Sequence, residues 1–135
     1  MRKLLFLIAI AGLLVSGYLF VAYTTGGPIR CGAHGGCEIV RASAYASIGG
    51  IPTPFYGIVF YFLLAVGALL LQGRYAAETN VLLHIHTGIG LLTSAWLSYL
   101  EAFVIEAWCR WCVVSALLSL IAFIVVWFKL PRYDR

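Results

Sequence analysis

The sequence predicts an all-α integral membrane protein: a four-transmembrane-helix bundle with a long extracytoplasmic loop, carrying a short interfacial helix, between helices 1 and 2. Three observations predict it. Hydrophobic residues make up 63% of the 135-residue chain and charged residues only 10%, with a mean hydropathy of +0.99, more than a soluble domain of this size carries. Four stretches, roughly 4–23, 55–72, 81–105 and 109–130, approach the ~20 apolar residues that cross a bilayer. The one sizeable remainder is the Gly-rich segment 24–54, so residues 1–135 are read as a single domain with no second soluble one. Membrane lipid is therefore the expected surrounding, and no nucleic-acid partner is expected.

The first span follows Arg2 and Lys3. Its apolar run exceeds the short core of a cleaved signal peptide, so it reads as a retained helix. Gly12 and Ser16, four residues apart, are small enough to let a neighbouring helix approach closely. In the loop, residues 38–47 carry Ile39, Val40, Ser43 and Ala46 at spacings that suit a short helix lying at the interface. Pro52-Thr53-Pro54 ends the loop, with Thr53 as N-cap and Pro54 at the first helical position of the second span. Gln72-Gly73-Arg74-Tyr75 closes that span, and Thr79 or Asn80 is placed to cap the third. Only residues 106–108 link spans three and four, which must be antiparallel neighbours. Trp108 and Trp111 suit the aromatic belt at the membrane interface.

Four spans put both termini on one side. That side collects Arg2, Lys3, Arg74, Lys129, Arg132 and Arg135, against Arg30, Arg41 and Arg110 on the other. The positive-inside rule then predicts cytoplasmic termini in the cell membrane and an extracytoplasmic 24–54 loop. All four cysteines, Cys31 and Cys37 in the loop and Cys109 and Cys112 at the start of the last span, share that compartment, normally the oxidising one.

Cys109-Arg110-Trp111-Cys112 is a pair that can close within one helical turn, and a thiol at a helix N-terminus has its thiolate favoured by the macrodipole. Thiolate is the attacking species in disulfide exchange, so two such pairs on one face suggest a redox relay. Metal chemistry fits less well. Cys-x5-Cys is not a common zinc spacing, and Val113 stands where a c-type haem motif needs histidine. His84 and His86, two apart, point to different helix faces and read as interfacial residues near the cytoplasmic end of the third span. Glu101, about a turn from the outer end of that span, is either solvated or a proton relay. His34 lies between the loop cysteines, either solvent-exposed or lowering a neighbouring thiol pKa.

Cys31-x5-Cys37, Ser43 six residues on, the Gly-Ile-Pro-x-Pro-x-Tyr-Gly run from Gly50 to Gly57, and Cys109-x-x-Cys112 opening the last span together resemble the vitamin K epoxide reductase family over nearly the whole chain. The resemblance implies a membrane enzyme that oxidises a thioredoxin-like partner and passes the electrons to a quinone of the ubiquinone or menaquinone type, supporting disulfide formation. Many prokaryotic members carry a fused thioredoxin domain, absent here, which implies a separate partner protein. It further implies that the partner reduces the Cys31–Cys37 disulfide at Cys31, that Cys37 then attacks Cys109, and that Cys112 faces the quinone. Ser43 would hydrogen-bond a quinone carbonyl. Where vertebrate members have asparagine and tyrosine near the substrate head, this chain has Thr53 and Ala116, which favours a plain quinone over an epoxide. Phe55, Tyr56, Phe60 and Tyr61 either line the candidate quinone site as an aromatic wall, with Phe55, Tyr56 and Tyr61 taken as its candidate residues, or serve helix packing, the reading favoured for each. Two other readings stand beside this one: a membrane scaffold with static disulfides, and a quinone or vitamin K epoxide reductase that uses small thiols.

Overall fold

The computed structural model describes residues 2–27 and 37–130. Helix α1 (Arg2–Thr25) is followed, on the far side of the loop, by a short helix α2 (Cys37–Ala42), a 3-10 turn (Ala44–Ala46) and a hairpin of β1 (Ser47–Ile48) and β2 (Ile51–Pro52). Then come α3 (Thr53–Leu70), α4 (Ala76–Tyr99), which runs on into a π-helical segment (Leu100–Ile105), and α5 (Arg110–Lys129). Four of these helices are long and apolar enough to cross a membrane among the described residues. The bundle is the all-α membrane architecture that hydropathy implied.

The hairpin had no signal in the apolar pattern because each strand is two residues long. Its turn residues Gly49 and Gly50 both have positive φ, +64° and +82°, as a two-residue type I′ turn requires. Two hydroxyls tie this region to α3: Tyr56 donates to the Ile48 carbonyl at 2.9 Å and Thr53 to the Tyr45 carbonyl at 2.9 Å. Thr53 is therefore not the N-cap. The helix begins at Thr53 itself, after Pro52, and no side chain caps it.

The third span starts five residues before the expected Val81. Thr79 N–H already bonds the Tyr75 carbonyl at 2.9 Å, and Thr79 and Asn80 are buried in the bundle rather than capping its end. The same shift carries His84 inward by more than a turn. It is buried, its Nδ1 lies 2.8 Å from the Asn80 carbonyl oxygen, and Trp127 Nε1 donates to its own carbonyl. His86 stacks on Phe60 at 4.4 Å and bonds the Phe60 carbonyl. The interfacial reading of these two histidines is corrected: they are helix-packing groups.

Lipid tails are as apolar as leucine, so helices in a bilayer associate through close packing rather than apolar burial. Small residues provide it here. A methyl group at Gly12 would fall inside the Tyr61 ring, and one at Gly57 would meet Ser16 Oγ at 2.6 Å, so α1 and α3 lie in near contact. Gly67 receives Leu83 and Gly90 receives Phe60, bringing α4 onto α3. One buried cluster, with Leu5, Tyr61, Leu64, Leu83 and Val126, fills the half of the bundle near the α1 start. A second, with Val15, Leu19, Ala22, Val40, Ala107 and Cys109, fills the half that bears the α5 start.

Candidate active site

The chain reverses between the third and fourth spans by a device that the apolar period does not reveal. The π-helical segment ends at Glu106, in left-handed conformation with φ +57°. The Glu106 and Ala107 N–H groups both donate to the Glu101 carbonyl. Single π-turns often mark functional sites because they rotate the side chains on either side. Glu101 itself stays in phase with Ser94, Leu97 and Ser98 on the inward face of the helix: its side chain is buried, and its Oε2 accepts the Cys109 N–H at 3.1 Å.

Cys109 is the N-cap of α5, and its carbonyl accepts the Val113 N–H at 3.0 Å. Cys109 is fully buried and Cys112 half-buried, and neither is in a disulfide with the other in this structure. The Cys112 thiol lies between two acceptors, the Cys109 sulfur and the Glu101 carboxylate. The hydrogen bond from Cys112 holds the Cys109 thiol below its ordinary pKa, against the opposing effect of burial, as the helix N-terminus also favours.

Cys112 and Glu101 border a cavity of about 110 Å³, by the measure on which one water needs ~10–15 Å³. Every span contributes to its wall: Ser16, Leu19 and Tyr23 from α1, Thr53 from α3, Ser94 and Ser98 from α4, and Ser115 and Ala116 from α5. The α2 and 3-10 segment closes it with Val40, Ser43 and Ala46.

Of the residues proposed from sequence, the structure thus brings Cys112, Ser43, Thr53 and Ala116 to one cavity, with Cys109 directly behind. Phe55, Tyr56 and Tyr61 are not in its lining. Phe55 and Tyr56 are exposed on the first turn of α3, where Phe55 meets Phe20 and Tyr56 holds the hairpin. Tyr61 is buried one layer away, donating to the Ser115 carbonyl at 2.7 Å. Cys31 and His34 lie outside the described residues, and Cys37 enters as the first residue of α2. Ser43 Oγ donates to the Val40 carbonyl at 2.6 Å, so its proton is engaged within its own turn.

Two residues of the site escaped sequence reasoning. Tyr23 lines the cavity within electrostatic reach of Cys109, Cys112, Glu101 and Arg41, and its hydroxyl makes no hydrogen bond among the described residues. Its spacing from Ser16 and Leu19, at i+7 and i+4, was the available signal. Arg41, counted only as a loop charge, donates to the Ala22 and Gly27 carbonyls and pins α2 to the end of α1. Among the described residues no group of three His, Cys, Asp or Glu side chains is placed to hold a metal ion.

A four-helix membrane bundle with a Cys-x-x-Cys dithiol against an apolar cavity defines a class, the membrane thiol oxidoreductases. The profile of the vitamin K epoxide reductase family matches residues 3–127, and the chain belongs to that family. No curated protein matches the sequence. Family membership makes this a membrane redox enzyme.

Proposed function

We propose that the protein oxidises a separate thioredoxin-like partner through Cys31 and Cys37, and passes the electrons through Cys109 and Cys112 to a membrane quinone. The observation that carries this reading is the contact of Cys112 with a mostly apolar cavity that also holds unspent hydrogen-bonding capacity. A bound quinone supplies an acceptor of two electrons and two protons. The residues present fit such a planar, apolar, doubly carbonylic molecule. Apolar side chains from α1, α4 and α5 form much of the wall, and the Tyr23 hydroxyl is available to donate to a ring carbonyl. Ser43 can do so by turning its O–H away from Val40.

The relay runs by thiolate attack. Cys37, freed by the partner, attacks Cys109 and displaces Cys112 as thiolate, which takes up a proton as the dithiol becomes fully reduced. Val40 of α2 packs in the same cluster as Cys109 and Ala107, so the helix that starts at Cys37 already rests beside the dithiol. The polar atoms that would recognise an epoxide are missing or engaged, since Ala116 has none and the Thr53 hydroxyl serves Tyr45. A plain quinone is the better substrate on that ground. Charge balance supports termini in the cytoplasm and cysteines outside, where membrane-impermeant maleimide should label reduced cysteines on intact cells.

The relay order is tested with purified protein and a soluble quinone. Cys31→Ser should block oxidation of a thioredoxin-like protein while dithiothreitol still drives quinone reduction, and Cys112→Ser should abolish both. Equal loss in the two variants with dithiothreitol as donor would sink the order.

A further inference from the structure

Glu101 is a buried ionisable group beside the dithiol for which the relay has no task. A carboxylate buried inside a membrane span is costly unless it is partnered or has a function, so its placement here needs a reason. Holding the α5 start is one: its Oε2 accepts the Cys109 N–H at 3.1 Å. That bond asks only for an acceptor oxygen, which a glutamine would supply without charge. The carboxylate is also the second acceptor, beside the Cys109 sulfur, within reach of the one Cys112 thiol proton, and it borders the same cavity as Cys112.

We propose that Glu101 takes the proton of the Cys112 thiol as the Cys109–Cys112 disulfide forms. The step rests on the reading above that a quinone is the acceptor. When the dithiol is oxidised, an S–S bond forms, two electrons leave to the quinone, and the Cys112 proton moves to Glu101. Glu101 then releases that proton into the cavity it lines, where reduction of the quinone consumes it. The second proton comes from Cys109, or from solvent when Cys109 is already ionised. The titratable groups that face Glu101 are Cys109 and Cys112 at the α5 start and Tyr23 from α1. The reversal at Glu106 brings the α5 start back against Glu101, where the Cys109 N–H meets its carboxylate.

The test uses full-length protein in lipid nanodiscs, with dithiothreitol as donor and a short-chain quinone. E101Q keeps the acceptor for Cys109 N–H and loses proton uptake. It should lower quinone reduction by about 100-fold or more and remove the acid limb of the pH–rate profile, while E101D retains that limb. In reduced, quinone-free protein, the infrared S–H band of Cys112 should shift in E101Q, because its charged acceptor is gone. Wild-type turnover in E101Q, or an unchanged acid limb and S–H band, would overturn the proposal alone. Absence of quinone reduction in the wild type itself would overturn the acceptor reading, and the proposal with it.

Discussion

Tyr61 donates its hydroxyl hydrogen to the Ser115 carbonyl at 2.7 Å and lies 3.0 Å from the Ser115 hydroxyl, tying the middle of α3 to the α5 turn that walls the cavity. The bond joins residues 54 positions apart and leaves the tyrosine ring packed in the core. Tyr61 is thus a support of the site wall. Tyr61→Phe should cost about 1 kcal/mol, read as a lower Tm in detergent, with the KM for quinone nearly unchanged. A raised KM at wild-type Tm would place Tyr61 against the quinone instead.

Packing of α1 on α3 makes Gly12 and Gly17 respond in opposite senses. A side chain at Gly12 must displace the Tyr61 ring, whereas nothing lies within 4 Å of a Cβ at Gly17. Gly12→Leu should destabilise by about 1–3 kcal/mol. Gly17→Ala should be neutral or stabilise by up to about 1 kcal/mol, the helix-propensity difference. Thermal unfolding of the two variants, followed by circular dichroism, checks the contrast.

Ser43 and Tyr23 place hydroxyls on the cavity wall from the loop and α1, and on the proposed reading they serve a ring carbonyl, Ser43 once its O–H turns from Val40. Ser43→Ala should lower kcat for quinone reduction by about 100-fold, the usual cost of removing a donor from an electrostatic site. Tyr23→Phe should lower kcat/KM by about 10-fold, the loss of one hydrogen bond. Both variants should keep a near-wild-type Tm. Steady-state kinetics with a soluble quinone decides whether one hydroxyl, both or neither serves it.

The acidity of Cys109 depends first on the hydrogen bond from Cys112. Removing that donor in Cys112→Ala, in a background lacking Cys31 and Cys37, should raise the Cys109 titration towards the ordinary thiol value of about 8.5. At a fixed pH below that value, the variant then carries less thiolate. Thiolate absorbance against pH, compared with the same background retaining Cys112, measures the shift and its sign.

The four spans were legible because runs of apolar residues report bilayer crossing directly. So were the small-residue approach at Gly12 and Ser16 and the sharing of one cavity by Ser43, Thr53, Ala116 and Cys112. Other features depend on local geometry that periodicity does not encode. Glu101 lies on the inward face of its helix with Ser94 and Ser98, but the π-turn that follows and returns the Cys109 N–H to its carboxylate has no apolar signature. His84 is buried because α4 starts before the apolar run does, with Ala76, Ala77 and Thr79 as adequate helix formers. The aromatic residues at the α3 start looked like quinone lining by type alone, but helix phase turns Phe55 and Tyr56 outward and Tyr61 into the core.

The proposed relay stands on one step, direct oxidation of the Cys109–Cys112 dithiol by a quinone. Fully reduced Cys31→Ser/Cys37→Ser protein, freed of reductant and mixed anaerobically with one equivalent of soluble quinone, isolates that step. Alkylation and mass spectrometry of the 109–112 peptide should show the two thiols converted to a disulfide, with one quinol formed per protein. Thiols that remain alkylatable while the quinone stays oxidised would contradict the account.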